Sequence, residues 1–322
     1  MRYVEASGVR LSAIGVGTWQ FGSREWGYGE SYAHGEAARI VQRALDLGVN
    51  LLDTAEIYGF GRSERIVGRA IAGRREEAFV ATKLFPVMPI PLVADRRGRA
   101  SARRLGVDTI DLYQIHQPNP VVPVAVQMRG MRDLVTAGVV RHVGVSNFSL
   151  SRWQAAEAAF HGPVLSNQVR FSLVDRRPLA DLVPWAEANG RVVMAYSPLG
   201  QGLLSARYNP ANAPRNGVRA MNPLFLAENL DRAAPLLSTL REVATRHEAT
   251  PAQVALAWVI RRPNVVAIPG ASSVEQLERN VAAADLDLSD DEDRELTAAA
   301  EAFHPVRGPA ATAKMLRSRL PV

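Results

Sequence analysis

The stretch Leu51-Leu52-Asp53-Thr54-Ala55-Glu56-Ile57-Tyr58-Gly59 is a short apolar run that stops on a carboxylate and passes into a loop carrying a phenol. The pattern returns on either side of it. Residues 79–82 run into Lys83, and Ile110-Asp111-Leu112-Tyr113-Gln114-Ile115 runs into His116. Further runs at 14–18, 143–146, 165–168, 192–196 and 265–268 complete eight strand candidates, rich in Val, Ile and Leu and too short for helices. Between them lie segments of helical periodicity at 35–47, 63–71, 92–105, 124–137, 151–160, 179–189, 250–260 and 274–284. A parallel sheet with crossover helices produces this alternation, because its strands are buried on both faces.

Helix punctuation agrees. Gly48, Gly138 and Gly190 stand where helices should end, since glycine adopts the left-handed conformation of a C-terminal cap without steric cost. Ser63, Ser149 and Ser289 stand at helix starts, and Ser289-Asp290-Asp291-Glu292 has the spacing of a capping box that opens a terminal helix reaching about residue 303. Residues 1–12 read as a β-hairpin turning at Ser7-Gly8, and residues 305–322 as a basic tail. Residues 200–224 form a stretch rich in Pro, Asn, Arg and Gly, longer than a simple connection requires, which points to a functional loop.

Eight parallel strands make either an open, doubly wound sheet or a closed barrel. Asp53, Lys83, His116, Ser146 with Asn147, Gln168, Tyr196 with Ser197, and Gly270 all fall at or just past C-terminal strand ends. A closed barrel gathers those ends round one mouth, whereas an open sheet strings them along a line. The segment Gly15-Val16-Gly17-Thr18-Trp19-Gln20 lacks the third glycine of the dinucleotide fingerprint, and no P-loop signature occurs. The expected fold is α/β, a (β/α)8 TIM barrel forming a single domain over residues 1–322, with an N-terminal hairpin and an extra C-terminal helix.

Composition narrows the chemistry. The chain has 47% hydrophobic and 22% charged residues, as globular proteins do, and no cysteine, which excludes disulfides, thiolate metal sites and cysteine nucleophiles. No metal site is expected, since no histidines pair at ligand spacing beside carboxylates. The net charge of +6 is spread along the chain without a recognition motif, so no nucleic-acid partner is expected. No apolar run reaches the roughly 18 residues of a membrane span, and the first residues lack a signal-peptide core, so the expectation is a cytoplasmic protein without a membrane partner. Lysine occurs only at Lys83 and Lys314, every other basic side chain being arginine or histidine. A chain that writes arginine nearly everywhere keeps at Lys83 a compact ammonium, chemically distinct from guanidinium.

Asp53, Tyr58, Lys83 and His116 together make a proton-transfer device for a carbonyl. A phenol of pKa about 10 is a sluggish proton donor near neutrality unless a cation stabilises its anion. Lys83 supplies that cation, Asp53 keeps it protonated and aimed, and His116 orients the carbonyl oxygen. Each residue alone has a structural explanation, as cap, pocket wall, ion-pair partner or core imidazole; four at the mouth ends of three consecutive strands point to catalysis. A Schiff-base aldolase using Lys83 stays open as an alternative, although Asp53 holding the lysine charged argues against it.

The sequence resembles the aldo-keto reductases over essentially its whole length. The resemblance is carried by residues 52–59 with Gly61-Arg62-Ser63-Glu64, then Ala81-Thr82-Lys83, Asp111-Leu112-Tyr113-Gln114-Ile115-His116, Gly144-Val145-Ser146-Asn147-Phe148, Ser166-Asn167-Gln168, residues 195–202 and Ile268-Pro269-Gly270-Ala271. It is similar in particular to the bacterial and plant branch related to the voltage-gated potassium channel β subunits. The resemblance implies the same catalytic tetrad, a small carbonyl substrate and a nicotinamide cofactor, NADPH/NADP+, lying extended across the barrel mouth. It implies that Tyr196 faces the nicotinamide, that Ser146, Asn147 and Gln168 bond its carboxamide, and that Thr18, Trp19 and Asp53 line the nearby end. Ser197, Pro198, Leu199, Gln201 and Gly202 then wrap the pyrophosphate, and Gly270, Ser272, Gln276 and Asn280 hold the adenosine side.

Two departures bear on cofactor choice. Many relatives place Lys at Gly270 and Arg at Gln276 to grip a 2′-phosphate. The channel-subunit-related branch manages with the Gly and Gln seen here, so the resemblance implies NADPH as the preferred cofactor and NADH as the lesser alternative. Arg207 and one of Arg215 or Arg219, from the long loop, are the candidates to supply the positive charge, and Arg279 replaces an acidic residue common in the branch. Trp19, Trp26, Tyr28 and Phe85 are candidates for an aromatic substrate pocket. The branch also implies an alternative role, a nucleotide-sensing binding protein with slow turnover.

Overall fold

The computed structural model describes residues 1–22, 32–214, 217–309 and 311. The chain opens with β1 (Tyr3–Ala6) and β2 (Val9–Ser12), paired antiparallel. Ser7 and Gly8 join them with φ of 48° and 77°, both positive as a tight hairpin turn demands. Eight strands follow: β3 (Val16–Gly17), β4 (Leu51–Asp53), β5 (Phe79–Leu84), β6 (Ile110–Ile115), β7 (Val140–Ser146), β8 (Ser166–Arg170), β9 (Val192–Tyr196) and β10 (Val265–Ala267). Each pairs parallel with the next in the chain. Parallel bridges from Ile14 to Ala267 and from Gly17 to Gly270 join the first strand to the last and close the barrel. A Cβ on Gly17 would stand 2.6 Å from the Ile268 carbonyl oxygen, so only glycine lets the seam shut.

Around the barrel lie α1 (Ala37–Asp46), α2 (Arg62–Ala70), α3 (Pro91–Leu105), α4 (Val124–Thr136), α5 (Leu150–Phe160), α6 (Leu182–Ala188), α7 (Gly217–Ala220), α8 (Ala227–Arg246), α9 (Pro251–Ile260), α10 (Val274–Ala282) and α11 (Asp290–Glu301). The apolar residues divide into two cores. One fills the layer between strands and helices. The other lies inside the barrel, where Val4, Ala6 and Leu11 of the hairpin pack against Leu51, Ala81, Leu112, Leu165, Val192, Met194, Val266 and Ile268. The hairpin is therefore a floor that shuts water out of the N-terminal end, and each fully buried Val or Leu in it contributes about 1.5–3 kcal/mol.

Three elements differ from the sequence reading. Helix α8, the longest, has no counterpart among the helix candidates, although Leu230, Ala233, Leu236, Leu237, Leu240 and Val243 are buried at helical spacing. It contains Pro235, whose missing N–H and ring clash cost about 3 kcal/mol; burial of that apolar stripe outweighs the cost. Ser63 is not a helix cap: Gly61 occupies that position, and the buried Ser63 hydroxyl bonds Thr18 and Thr54 instead. The long loop at 200–224 is built largely of short helical turns, at Gly200–Ser205, Pro210–Asn212, α7 and Pro223–Phe225. Most of the basic tail lies outside the described residues. Its beginning is tied to α8, where the Val306 N–H donates to Asn229 Oδ1 at 2.7 Å.

The capping box of α11 forms as expected, and Glu292 in it also receives His247 at 2.9 Å and Arg246 at 3.2 Å from the end of α8. Burial opposes its charge, but the bonds from His247, Ser289 and Arg246 outweigh it and hold the carboxyl down at about 2. A carboxyl whose folded pKa lies below its unfolded value stabilises the fold above the unfolded pKa and loses that contribution as pH falls through the folded one. Glu292→Gln is therefore expected to cost about 1 kcal/mol at neutral pH and almost nothing near pH 2. Urea midpoints of both proteins at the two pH values check this; the same difference at both would contradict it.

Candidate active site

Inside the barrel, side chains alternate with a period of two, and that period builds the site in layers. Leu51, Ala81 and Leu112 belong to the apolar floor. Two residues further along each strand come Asp53, Lys83 and Gln114, and the register sets Asp53 beside Ala81 and Lys83 beside Gln114. Strand β5 runs on to Leu84, so Lys83 lies within the strand, where the sequence pattern has it just past the end.

The Lys83 ammonium is fully buried and donates to Asp53 Oδ2 at 2.7 Å, Asp53 Oδ1 at 2.9 Å and the Thr54 carbonyl at 2.8 Å. It also lies 3.4 Å from the Tyr58 hydroxyl. Gln168 Nε2 donates to Asp53 Oδ1 at 2.7 Å, so the carboxylate is held from two sides. The His116 ring stands edge-on to that of Tyr58, with centroids 5.9 Å apart, and its Nδ1 is buried with no hydrogen-bond partner among the described residues. Four residues remote in sequence thus meet at one end of the barrel.

A cavity of about 880 Å³ opens above them. Its lining includes Trp19, Asp53, Tyr58, Phe85, His116, Ser146, Asn147, Gln168, Tyr196, Ser197, Pro198, Leu199, Gln201, Gly202, Arg207, Arg219, Gly270, Ser272, Gln276, Arg279 and Asn280. Thr18 does not reach it: its hydroxyl is buried behind the wall, bonded to the Asp53 carbonyl at 2.9 Å and to Ser63 at 2.7 Å. Trp26, Tyr28 and Arg215 lie outside the described residues. Tyr196 donates to Asn147 Oδ1 at 3.0 Å, Asn147 Nδ2 donates to Ser146 Oγ at 3.0 Å, and Ser146 Oγ donates to the Gln168 carbonyl at 2.9 Å, one chain of bonds along one wall.

Some lining residues were not legible as candidates. Gln20 is buried and donates from Nε2 to the Ala271 carbonyl at 2.9 Å; a Cβ at Gly270 would come within 2.8 Å of it, so the glycine leaves room for this side chain. Arg170 follows Gln168 by two residues, the spacing that puts both on one face of β8, and its guanidinium lies 5.8 Å from the Tyr196 ring centre. Ile57, Gln117 and Tyr208 also line the cavity, without a sequence signal of their own.

Electrostatics refine the expected roles. Burial is the largest influence on Lys83 and works against its charge, yet attraction from Asp53 and Tyr58 carries its pKa above the ordinary lysine value. The sequence reading has Lys83 drawing the Tyr58 phenol down. In the folded site burial is the larger influence, and the phenol stands above its ordinary value despite the lysine. Burial, with a smaller push from Lys83, lowers His116 to about 3, so its ring is neutral at physiological pH.

A closed β/α barrel with this mouth is the architecture that the sequence motifs imply, and the profile of the Aldo/keto reductase family aligns with residues 13–301. The chain belongs to that family of oxidoreductases. It is 61% identical over 307 residues, 95% of either chain, to an uncharacterised oxidoreductase of Mycobacterium tuberculosis. The glycerol dehydrogenase of Gluconobacter oxydans superposes with a TM-score of 0.86 at 30% identity, covering 95% of this chain and 97% of the other. An aldo-keto reductase of Klebsiella pneumoniae, solved in complex with NADPH, gives 0.77 at 30% identity, with 96% and 98% covered.

The Lys83–Asp53 pair generates a stability prediction. Removing one partner leaves a charge buried without its counterion, which costs about 3–5 kcal/mol. Asp53→Ala and Lys83→Met should each lose about that much in denaturant melts, and the double variant should be markedly more stable than either. Additive losses would show that the two charges are not coupled.

Proposed function

We propose that the protein is a cytoplasmic, single-domain reductase that converts an aldehyde or ketone to the alcohol with NADPH as the hydride source, NADH being the lesser alternative. The observation that carries this reading is the Tyr58 hydroxyl, 3.4 Å from a buried ammonium, at the inner end of the large cavity. The side chains along that cavity suit a phosphorylated dinucleotide. Arg207, Arg219 and Arg279 are among its lining residues and bring three guanidiniums to it. Helix α10 begins at its edge, with Ser273 as the cap, and presents the positive end of its dipole there. Gly202, at φ 103°, leaves the loop backbone bare for close approach. Tyr196 offers an aromatic face, and Ser146, Asn147 and Gln168 offer the amide and hydroxyl groups a carboxamide needs. When bound, the cofactor supplies the hydride that reduces the carbonyl carbon.

The chain's own residues manage the proton. Tyr58 gives its phenolic proton to the carbonyl oxygen, and the phenolate left behind stands beside the Lys83 ammonium, which lowers the barrier to that transfer. Asp53 and the Thr54 carbonyl fix the ammonium in place. His116, neutral, orients the carbonyl oxygen beside the phenol. Trp19 and Phe85 wall the space where the body of the substrate lies, Trp19 stacked on Tyr58 with ring centres 6.3 Å apart and Phe85 edge-on to His116 at 6.1 Å.

Tyr58→Phe should lower the rate of carbonyl reduction by about 10²- to 10⁴-fold while NADPH still quenches the protein's fluorescence with nearly unchanged affinity; undiminished turnover would remove Tyr58 from the role. The pH dependence supplies a second check. With the phenol above its ordinary range and His116 not titrating until about 3, the reductive rate should stay level from about pH 6 to about 9 and decline only at strongly alkaline pH. A break near the ordinary histidine pKa of about 6.5 that vanishes in a His116 variant would contradict this.

A further inference from the structure

Glu56 and Arg97 belong to neither the tetrad nor the cofactor groove, yet their side chains meet between the two loops that carry the proton-transfer pair. Glu56 comes two residues before Tyr58, and Phe85 two residues after Lys83. One Glu56 oxygen accepts from the Phe85 N–H at 2.5 Å and from Arg97 Nη2 at 2.6 Å, and the other accepts from Arg97 Nε at 2.9 Å. Arg97 Nη1 donates to the Phe85 carbonyl at 2.8 Å and to the Val87 carbonyl at 3.4 Å. Since Arg97 projects from α3, the loop after β4, the loop after β5 and a helix are tied at one point. The two side chains are only 11% and 25% exposed, so water competes weakly with these bonds.

The position of the knot matters more than its strength. Both backbone polar groups of Phe85 are engaged, which fixes the residue whose ring stands edge-on to His116, and His116 in turn stands edge-on to Tyr58. The other end of the knot is Glu56, on the short loop that presents the phenol. At 3.4 Å, the contact between Tyr58 and Lys83 is the longest bond that the ammonium makes, so a small shift of either loop alters it most. A guanidinium suits this task because its planar fork holds the carboxylate in a two-bond pair through Nε and Nη2 while Nη1 reaches the carbonyls, a fixed spacing that the single nitrogen of an ammonium does not impose.

We infer that Glu56 and Arg97 act as a positioning pair, setting the Tyr58 phenol against Lys83 and the Phe85 wall against His116. The inference rests on Tyr58 being the proton donor. A misplacement of about 1 Å at a reacting group costs about 100-fold in rate, which sets the scale of the effect.

The test compares wild type, Arg97→Met, Glu56→Gln, the double variant and Arg97→Lys in steady-state reduction of one aldehyde, with NADPH affinity by fluorescence titration and Tm measured alongside. Arg97→Met and Glu56→Gln should each lower kcat by about 10- to 100-fold and raise KM for the aldehyde. NADPH affinity should stay within about two-fold, because Tyr196, Ser197 and Gln201 come from other strands and loops. The double variant should be no slower than the slower single one, and Arg97→Lys should recover only part of the loss. A lowered Tm with kcat and KM unchanged would reduce the pair to a structural tie and overturn the inference. If Arg97→Met does not fold, Arg97→Lys decides alone: wild-type kcat and KM in it would overturn the inference. A wild-type protein inert toward every carbonyl would instead remove the reduction reading, and the inference with it.

Discussion

A fully buried ammonium sits inside this barrel near the mouth, and the surrounding structure is what makes its charge tolerable. An unpaired cation in such a place costs several kcal/mol; Lys83 escapes that cost through both oxygens of Asp53 and the Thr54 carbonyl, with Gln168 bracing the carboxylate from the far side. Those contacts need Asp53 and Lys83 close together inside the barrel, which the pairing of β4 with β5 provides by setting Asp53 beside Ala81, two residues before Lys83 on the same face. They also need a dry floor, which the hairpin provides with Val4, Ala6 and Leu11. A closed seam is needed too, and Gly17 permits it. Features that read as unrelated in the chain therefore serve one electrostatic requirement.

The mouth is asymmetric, and its two sides are built differently. Along the wall from Asn147 to Gln201 the backbone carries three non-glycine residues with positive φ, namely Asn147 at 60°, Ser197 at 51° and Gln201 at 58°. Each such residue costs on the order of 1 kcal/mol or more, and their clustering on the side of Tyr196 matches a wall shaped to approach a ligand closely with its backbone. The opposite side, with Trp19, Ile57, Tyr58, Phe85 and His116, is held by ring contacts and by the bonds of Glu56 and Arg97. One side fits an extended polar molecule; the other fits a compact reacting group against aromatic rings.

Much of this was legible in the chain, for reasons particular residues make clear. Buried strands must be apolar along their length, so Asp53, Lys83 and His116 at the ends of such runs stood out. Lys83 stood out further because the chain otherwise avoids lysine. The helix ends at Gly48, Gly138 and Gly190 were readable because a left-handed residue is needed there, and all three glycines adopt it, with φ of 78°, 70° and 61°. A serine before an apolar helix usually caps it, but the Ser63 hydroxyl is taken up by Thr54, nine residues away, and by Thr18, 45 residues away. Helix α8 follows a loop rich in helix breakers and contains a proline of its own, so its stability comes from burial against neighbours that local sequence does not reveal.

By itself the sequence determined what depends on short-range chemistry: the alternation of strand and helix, the turn at Ser7-Gly8, the capping box at Ser289, and which polar side chains interrupt apolar strands. Only the tertiary structure decided how those side chains meet. It put Thr18 behind the wall, brought Arg170 and Gln20 to the cavity, and joined Glu56 to Arg97. It also reversed the expected direction for the Tyr58 phenol. The reason is that desolvation and long-range pairing depend on what surrounds a group in space, and a phenol's neighbours in the chain say little about how much water it has lost.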